Sequence, residues 1–351
     1  MAPHGELSRD MLFQLNTALL ASMPQPERED CPISPVFLKA GFRVHAIGPT
    51  VEMPRDIIPV ATQAVSCQRF AKPDLVFADK SKSLFILFEC KASSFSAGSS
   101  NSEQARTLLI CSGTLILEVL GQGIRGDTTG GTCYLVGDNQ GQGMLNTLTE
   151  LSNELSGAGL DYGFCAALVL SVTDTETVID YDVDTGRTLS FPDDPPLVVL
   201  RHRKGFDPRS LYLILFDPSH SDSDERQKCL LMLRSKILRF FVTRVGEATT
   251  PSTVVITVED VMHSLFSSII QEWRDKEVIT NTKRQVGYFF ETLTNQIRRQ
   301  ASLVAMSTRT EIRFELKNDS DQANLLVALQ KADPYAMKPA PDEGMEPLFD
   351  I

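Results

Sequence analysis

The sequence predicts an α/β domain built on a mixed sheet flanked by helices, followed by a mainly helical domain. An apolar hairpin pattern spans Asp74 to Lys91, an apolar strand–helix–strand alternation runs from Cys133 to Val172, and helical periodicity takes over after Glu225. The turn-rich run Asp217-Pro218-Ser219-His220-Ser221-Asp222-Ser223-Asp224 separates the two regimes. Domains are therefore placed at 1–217 and 225–332, with a linker over 218–224.

Taken in order, Leu7 to Leu20 has apolar residues at helical spacing and stops before Pro24 and Pro26. A short helix is expected after Pro35, a strand over Phe42 to Ile47, an irregular connection over 49–72, and the hairpin at the centre of the sheet. A Ser/Gly-rich loop from Ser93 to Ser102 leads into a helix ending near Leu120, and Gly121 to Thr132 reads as a flexible loop. That loop is not a phosphate-cradling Walker loop, because no Gly-Lys-Ser/Thr follows. Strand, helix and strand are expected at Cys133–Val136, Met144–Leu155 and Phe164–Val172, then strands at Thr177–Tyr181, Leu197–Leu200 and Leu211–Phe216.

The hairpin carries the chemistry. A turn in Asp79-Lys80-Ser81-Lys82-Ser83 pairs residues whose numbers sum to about 163, which sets Asp74 opposite Glu89. Directly opposed residues have β-carbons roughly 4.5–5.5 Å apart, near enough for two carboxylates to share a metal ion. Alternation puts Glu89 and Lys91 on one face and the Cys90 side chain on the other, leaving the Cys90 carbonyl as a further oxygen ligand. Both faces of Leu84 to Phe88 are apolar, the pattern of a central strand covered on two sides. Ionisable residues at the end of such a strand are costly to bury without a partner, and a hard cation with oxygen ligands is one such partner.

Pro73-Asp74, fourteen intervening residues and Glu89-Cys90-Lys91 resemble the PD-(D/E)xK signature of the restriction-endonuclease-like nuclease superfamily. The resemblance implies a restriction-endonuclease-like mixed sheet and a metal-dependent nuclease, with Asp74 and Glu89 binding Mg²⁺ or Mn²⁺, the Cys90 carbonyl completing the protein ligands and Lys91 orienting or activating the attacking water. Gln104 sits where the RecB and lambda-exonuclease branch has the Gln of its QxxxY motif, and Leu108 stands in place of that motif's Tyr. Many members also place a metal-binding Glu on the first helix, for which Glu6, Glu27 and Glu29 compete here. The settings implied are restriction, repair, recombination or defence, with DNA the expected substrate.

Charge sharpens this. The net charge of −11 excludes a broadly basic coat. Residues 225–309 nonetheless hold thirteen Lys or Arg against eight Asp or Glu, a balance of +5 that leaves −16 for the rest. Phosphate contacts confined to a few cations are compatible with that distribution. The seven cysteines have no CxxC spacing and read as reduced core residues of a cytoplasmic chain, and no stretch approaches a membrane span. The five histidines are too scattered for a helical metal site, and no Gly-x-Ser-x-Gly marks a serine nucleophile. His202, in Arg201-His202-Arg203-Lys204, belongs to a short basic patch that a solvated turn explains equally well.

In the second domain, helices are expected over Arg226–Arg244, from a capping box at Thr257-Val258-Glu259-Asp260 to about Trp273, and over Lys283–Gln300, with a strand at Glu311–Leu316. That order permits a winged-helix-like module whose Lys283, Arg284, Arg298 and Arg299 touch phosphates, and it equally permits a helical bundle used for packing or dimerisation. The acidic, Pro-containing tail from Asp333 is expected to be disordered, with Leu348-Phe349-Asp350-Ile351 a candidate docking end. A catalytically silent nuclease-fold subunit that recruits a partner is the rival expectation.

Overall fold

The computed structural model describes residues 4–24, 31–79, 81, 83–113, 129–211, 223–266, 276–301 and 305–334. The chain divides into two compact units, the first of residues 1–213 with 272–274 and the second of 214–271 with 275–351. No helix among the described residues is long and apolar enough to cross a membrane.

The first unit opens with α1 (His4–Leu7) and α2 (Met11–Ser22) in place of one helix. Asp10 makes the break, because its carboxylate accepts from the backbone N–H of Leu12 at 2.8 Å and of Phe13 at 3.1 Å, capping a new helix start. The chain continues through α3 (Val36–Lys39), β1 (Arg43–Ile47), β2 (Val51–Glu52), α4 (Ile58–Ala64) and β3 (Phe70–Ala71). The expected irregular connection therefore holds a helix and a two-stranded ribbon. Next come β4 (Leu75–Asp79), β5 (Leu84–Lys91), α5 (Ser100–Gly113), β6 (Thr129–Gly137), α6 (Gly141–Gly157), β7 (Phe164–Val172), β8 (Glu176–Asp180), α7 (Val183–Leu189) and β9 (Leu197–Arg201).

Seven strands form one mixed sheet in the order β1-β4-β5-β6-β7-β8-β9. Strands β1, β4 and β5 are an antiparallel meander, and β5, β6 and β7 run parallel through the crossovers α5 and α6. β8 and β9 return antiparallel at the far edge. Leu75 pairs with Phe88 and Asp79 with Leu84, so the β4–β5 register sums to 163.

Both faces of β5 are covered. Phe85 and Leu87 pack with Leu108, Leu109, Tyr134 and Leu151 beneath α5 and α6. On the opposite face Phe37 of α3 meets the Phe77 and Phe88 rings edge-on, with centroids 5.7 and 6.1 Å away. Burying one such aromatic side chain is worth about 1.5–3 kcal/mol.

Two expectations need correction. Gly130, Gly131 and Thr132 are not loop but the start of β6. A Cβ on Gly130 would run into the Ser112 carbonyl and the Phe85 ring, and one on Gly131 into the Phe164 ring, so these glycines mark close approach within a sheet. Leu211 closes a short 3-10 turn (Pro208–Leu211); the rest of the strand expected there lies outside the described residues, as do 114–128, most of the linker and the tail from 335.

The second unit contains α8 (Ser223–Gly246), β10 (Ser252–Thr257), α9 (Val258–Phe266), α10 (Lys276–Ala301), β11 (Ala305–Ser307), β12 (Glu311–Leu316) and α11 (Asp319–Lys331). The capping box forms as expected: the Asp260 N–H donates to Thr257 Oγ1 at 3.0 Å and the Thr257 N–H donates to Asp260 Oδ2 at 2.9 Å. This unit holds more sheet than the one strand expected at Glu311–Leu316. Besides its helices it carries an antiparallel sheet of order β10-β12-β11, and Phe241 of α8 packs on Phe290 of α10 and Phe314 of β12 with centroids 5.5 and 6.0 Å away.

Candidate active site

The end of β5 gathers Asp74, Glu89, Lys91 and Gln104. Asp74 precedes β4 and is half-buried; its Oδ2 accepts from the Cys90 backbone N–H at 2.7 Å, extending the hairpin by one step. Glu89 is 4% exposed. Its Oε1 accepts from Lys91 Nζ at 3.0 Å and from Gln104 Nε2 at 3.2 Å. Gln104 also donates to the Lys72 carbonyl at 3.2 Å, so α5 is tied both to the acidic strand and to the chain leading into Asp74.

A second polar group fixes α5. Arg106, 7% exposed, donates to Glu154 of α6 at 2.8 Å, to Ser102 Oγ at 2.9 Å, to the Ala97 carbonyl at 3.0 Å and to the Ser66 carbonyl at 3.3 Å. Gln104 thus projects from a helix clamped two residues further along. Leu108, at the position of the absent motif Tyr, is fully buried in the core beside Tyr134.

Electrostatics mark Glu89 as the strained member. Burial is the largest cause and the neighbouring Asp74 carboxylate the next, and together they outweigh Lys91 and the hydrogen bond from the Asp74 backbone, pushing the Glu89 carboxyl from 4.5 up to about 8. Its second oxygen, Oε2, is buried with no hydrogen-bond partner among the described residues. Burial, then Asp74 and Glu89, also push the Cys90 thiol well above its ordinary value. The Cys90 carbonyl, an oxygen donor, is the atom of this residue that suits a hard cation.

Among the described residues no three His, Cys, Asp or Glu side chains are grouped as a metal cage. Asp74 and Glu89 offer a two-carboxylate set, and such a set suits Mg²⁺ or Mn²⁺, ions that hold one or two carboxylates and keep several waters. The orphaned Oε2 fits that role, since a buried acceptor without a partner loses about 1–3 kcal/mol relative to a satisfied one.

Of the first-helix candidates, Glu6 is exposed on α1, whereas Glu27 and Glu29 lie outside the described residues. Two site neighbours escaped the sequence reading. Gln14 of α2, fully buried, donates from Nε2 to the Lys91 carbonyl at 2.9 Å and to the Ser8 carbonyl at 2.7 Å. Tyr134 pairs with Glu89 across β5–β6 and is 1% exposed; burial, then Glu89 and Asp74, push its phenol well above its ordinary value. The available signal for Gln14 was a polar residue set between the apolar Phe13 and Leu15, while Tyr134 had none beyond its place in a strand.

In the second unit, Lys283 is held by Glu259 at 2.8 Å. Arg284 is half-buried, its Nε enclosed without a partner among the described residues. The Arg298 and Arg299 side chains lie outside the described residues. Compared with known proteins, the chain matches no protein family, no curated protein and no solved structure.

Proposed function

We propose that the first unit is a metal-dependent phosphodiester hydrolase acting on nucleic acid, DNA being the substrate we assign, on a restriction-endonuclease-like scaffold. The observation that carries the reading is Glu89: a buried carboxylate with an orphaned Oε2, set beside Asp74 and bonded to Lys91 and Gln104. A buried acid perturbed by desolvation and by a specific charge partner is a functional-site candidate. The helix, antiparallel meander, crossover helix and parallel strand that surround it support the scaffold assignment.

Asp74 and Glu89 would hold Mg²⁺ or Mn²⁺ together with the Cys90 carbonyl. The ion, when bound, lowers the pKa of a ligated water and balances charge developing on the phosphate. Lys91 Nζ, 3.0 Å from Glu89 Oε1 on a side chain that is 19% exposed, would orient the attacking water. Gln104 holds Glu89 Oε1, and Oε2 would be the oxygen left for the ion.

The second unit's order of helix, strand, two helices and two strands supports a winged-helix-like module. Its contact with nucleic acid is a weaker assignment, because Lys283 would first have to leave Glu259.

The test is incubation of the protein and its Lys91→Ala variant with linear, circular and single-stranded DNA and with RNA, in Mg²⁺, Mn²⁺ or EDTA. Metal-dependent cutting lost in Lys91→Ala is the expected result, and equal cutting by Asp74→Ala, Glu89→Ala and Lys91→Ala overturns the assignment. A second reading, a silent nuclease-fold subunit, is favoured by Leu108 filling the motif Tyr position with core packing. Calorimetry separates the two, since a silent subunit needs no Mg²⁺ at Asp74 and Glu89.

A further inference from the structure

We infer that Gln14 is a positioning residue that sets the place of Lys91 through the main chain, an inference that rests on the nuclease reading of Lys91. Other buried polar side chains of α2 bond back to their own helix: Asn16 Nδ2 donates to the Leu12 carbonyl at 2.9 Å and Ser22 Oγ to the Ala18 carbonyl at 2.9 Å. Gln14 reaches out of the helix instead. One amide nitrogen bridges the Ser8 carbonyl, just before the Asp10 cap, and the carbonyl of Lys91, the last residue of β5.

The bridge belongs to a longer strut. Ser8 Oγ donates to Asp138 Oδ2 at 3.3 Å, and Asp138, just past β6, also accepts from Ser171 Oγ of β7. Gly137 lets these parts close up, since a Cβ there would sit 2.6 Å from the Arg9 side chain, 3.1 Å from the Ser8 carbonyl and 3.2 Å from the Ala92 carbonyl. The carboxyl ends of the three parallel strands are thereby joined through Gln14, Ser8, Asp138 and Ser171.

Packing alone does not call for an amide at position 14. Gln14 is fully buried and its Oε1 has no partner among the described residues, so an apolar side chain of the same length would avoid a buried orphan. The two N–H bonds are what Gln14 adds, and one of them lands on the Lys91 peptide. Lys91 Nζ works at the end of a strand with little ladder beyond it, where displacement by about 1 Å can lower turnover about a hundredfold.

The test compares the parent with Gln14→Met, which keeps the side-chain length and removes the donors, and with Thr17→Val, a control buried on the same helix. Carbonyl-¹³C lysine with ¹⁵N alanine marks only the Lys39–Ala40, Lys91–Ala92 and Lys331–Ala332 peptides. Gln14→Met is expected to shift the Lys91–Ala92 signal alone and to lower kcat tenfold or more at unchanged KM, while Thr17→Val leaves both in place. An unmoved Lys91–Ala92 signal in folded Gln14→Met overturns the inference, as does an equal kcat loss in Thr17→Val. Should Gln14→Met fail to fold, Gln14→Glu, which keeps the side-chain shape, is read against the same two outcomes. If the parent cuts no nucleic acid, the nuclease reading fails while the carbonyl signal still decides whether Gln14 holds Lys91.

Discussion

Asp74 Oδ2 and the Cys90 backbone N–H are hydrogen-bonded at 2.7 Å, so the carboxylate assigned to the metal also closes the end of the β4–β5 hairpin. The two duties can be separated. Asp74→Asn keeps an oxygen acceptor for Cys90 and should melt close to the parent, yet lose metal binding and cleavage. Asp74→Ala loses the acceptor too, and should fall a further 1.5–3 kcal/mol or so in chemical denaturation, the range for a hydrogen bond to a charged group. Equal stability of the two variants would show that the bond contributes nothing.

Glu89 makes the metal-free protein sensitive to pH. Its carboxyl titrates near 8 in the fold against 4.5 ordinarily, so between those values the native state keeps a proton that the unfolded chain gives up. Native stability is therefore greatest at the acid end of that window, declines as pH rises through it, and levels off above about 8, a change on the order of a few kcal/mol from this group. Melting curves in EDTA from pH 5 to 8 should show the decline, and Glu89→Gln should flatten it.

Metal binding should release a proton at pH 7, because the ion requires the carboxylate form of Glu89. Titration calorimetry of Mg²⁺ or Mn²⁺ in buffers of different ionisation heat measures that release. Heats independent of buffer would mean that the ion does not meet Glu89.

Arg106 ties α5 to α6 and to two backbone carbonyls. Arg106→Met leaves those carbonyls buried without donors and should destabilise the first unit by about 1–3 kcal/mol. Since Gln104 rides on the same helix, cleavage should fall by more than the lost folded fraction explains. An activity loss that merely tracks unfolding would make the clamp structural only.

The hairpin was legible because two local patterns agree: a short polar turn fixes the register, and the apolar run from Leu84 to Phe88 has no solvent face to present. Gln104 followed from the resemblance, as the Gln of a QxxxY-like motif. Gln14 did not, because the resemblance points to carboxylates on the first helix, and the bond it makes depends on the Lys91 carbonyl brought from 77 residues away. Strand β10 went unseen for a related reason: Ser252–Thr257 abuts the Thr257 capping box, and only pairing with β12 reveals it as sheet. The glycines of β6 read as loop because what excludes a side chain there belongs to a helix and to other strands distant in sequence.

Those glycines give β6 an entry into the sheet shaped by its neighbours' rings. Phe85 fills the socket over Gly130 from the same strand, and the same side of it, that presents Glu89 four residues on. β5 therefore carries a steric stop at one end and the acidic pair at the other. Gly130→Ala would meet both the Ser112 carbonyl and the Phe85 ring, so its strain is expected to fall on the strand that carries Glu89.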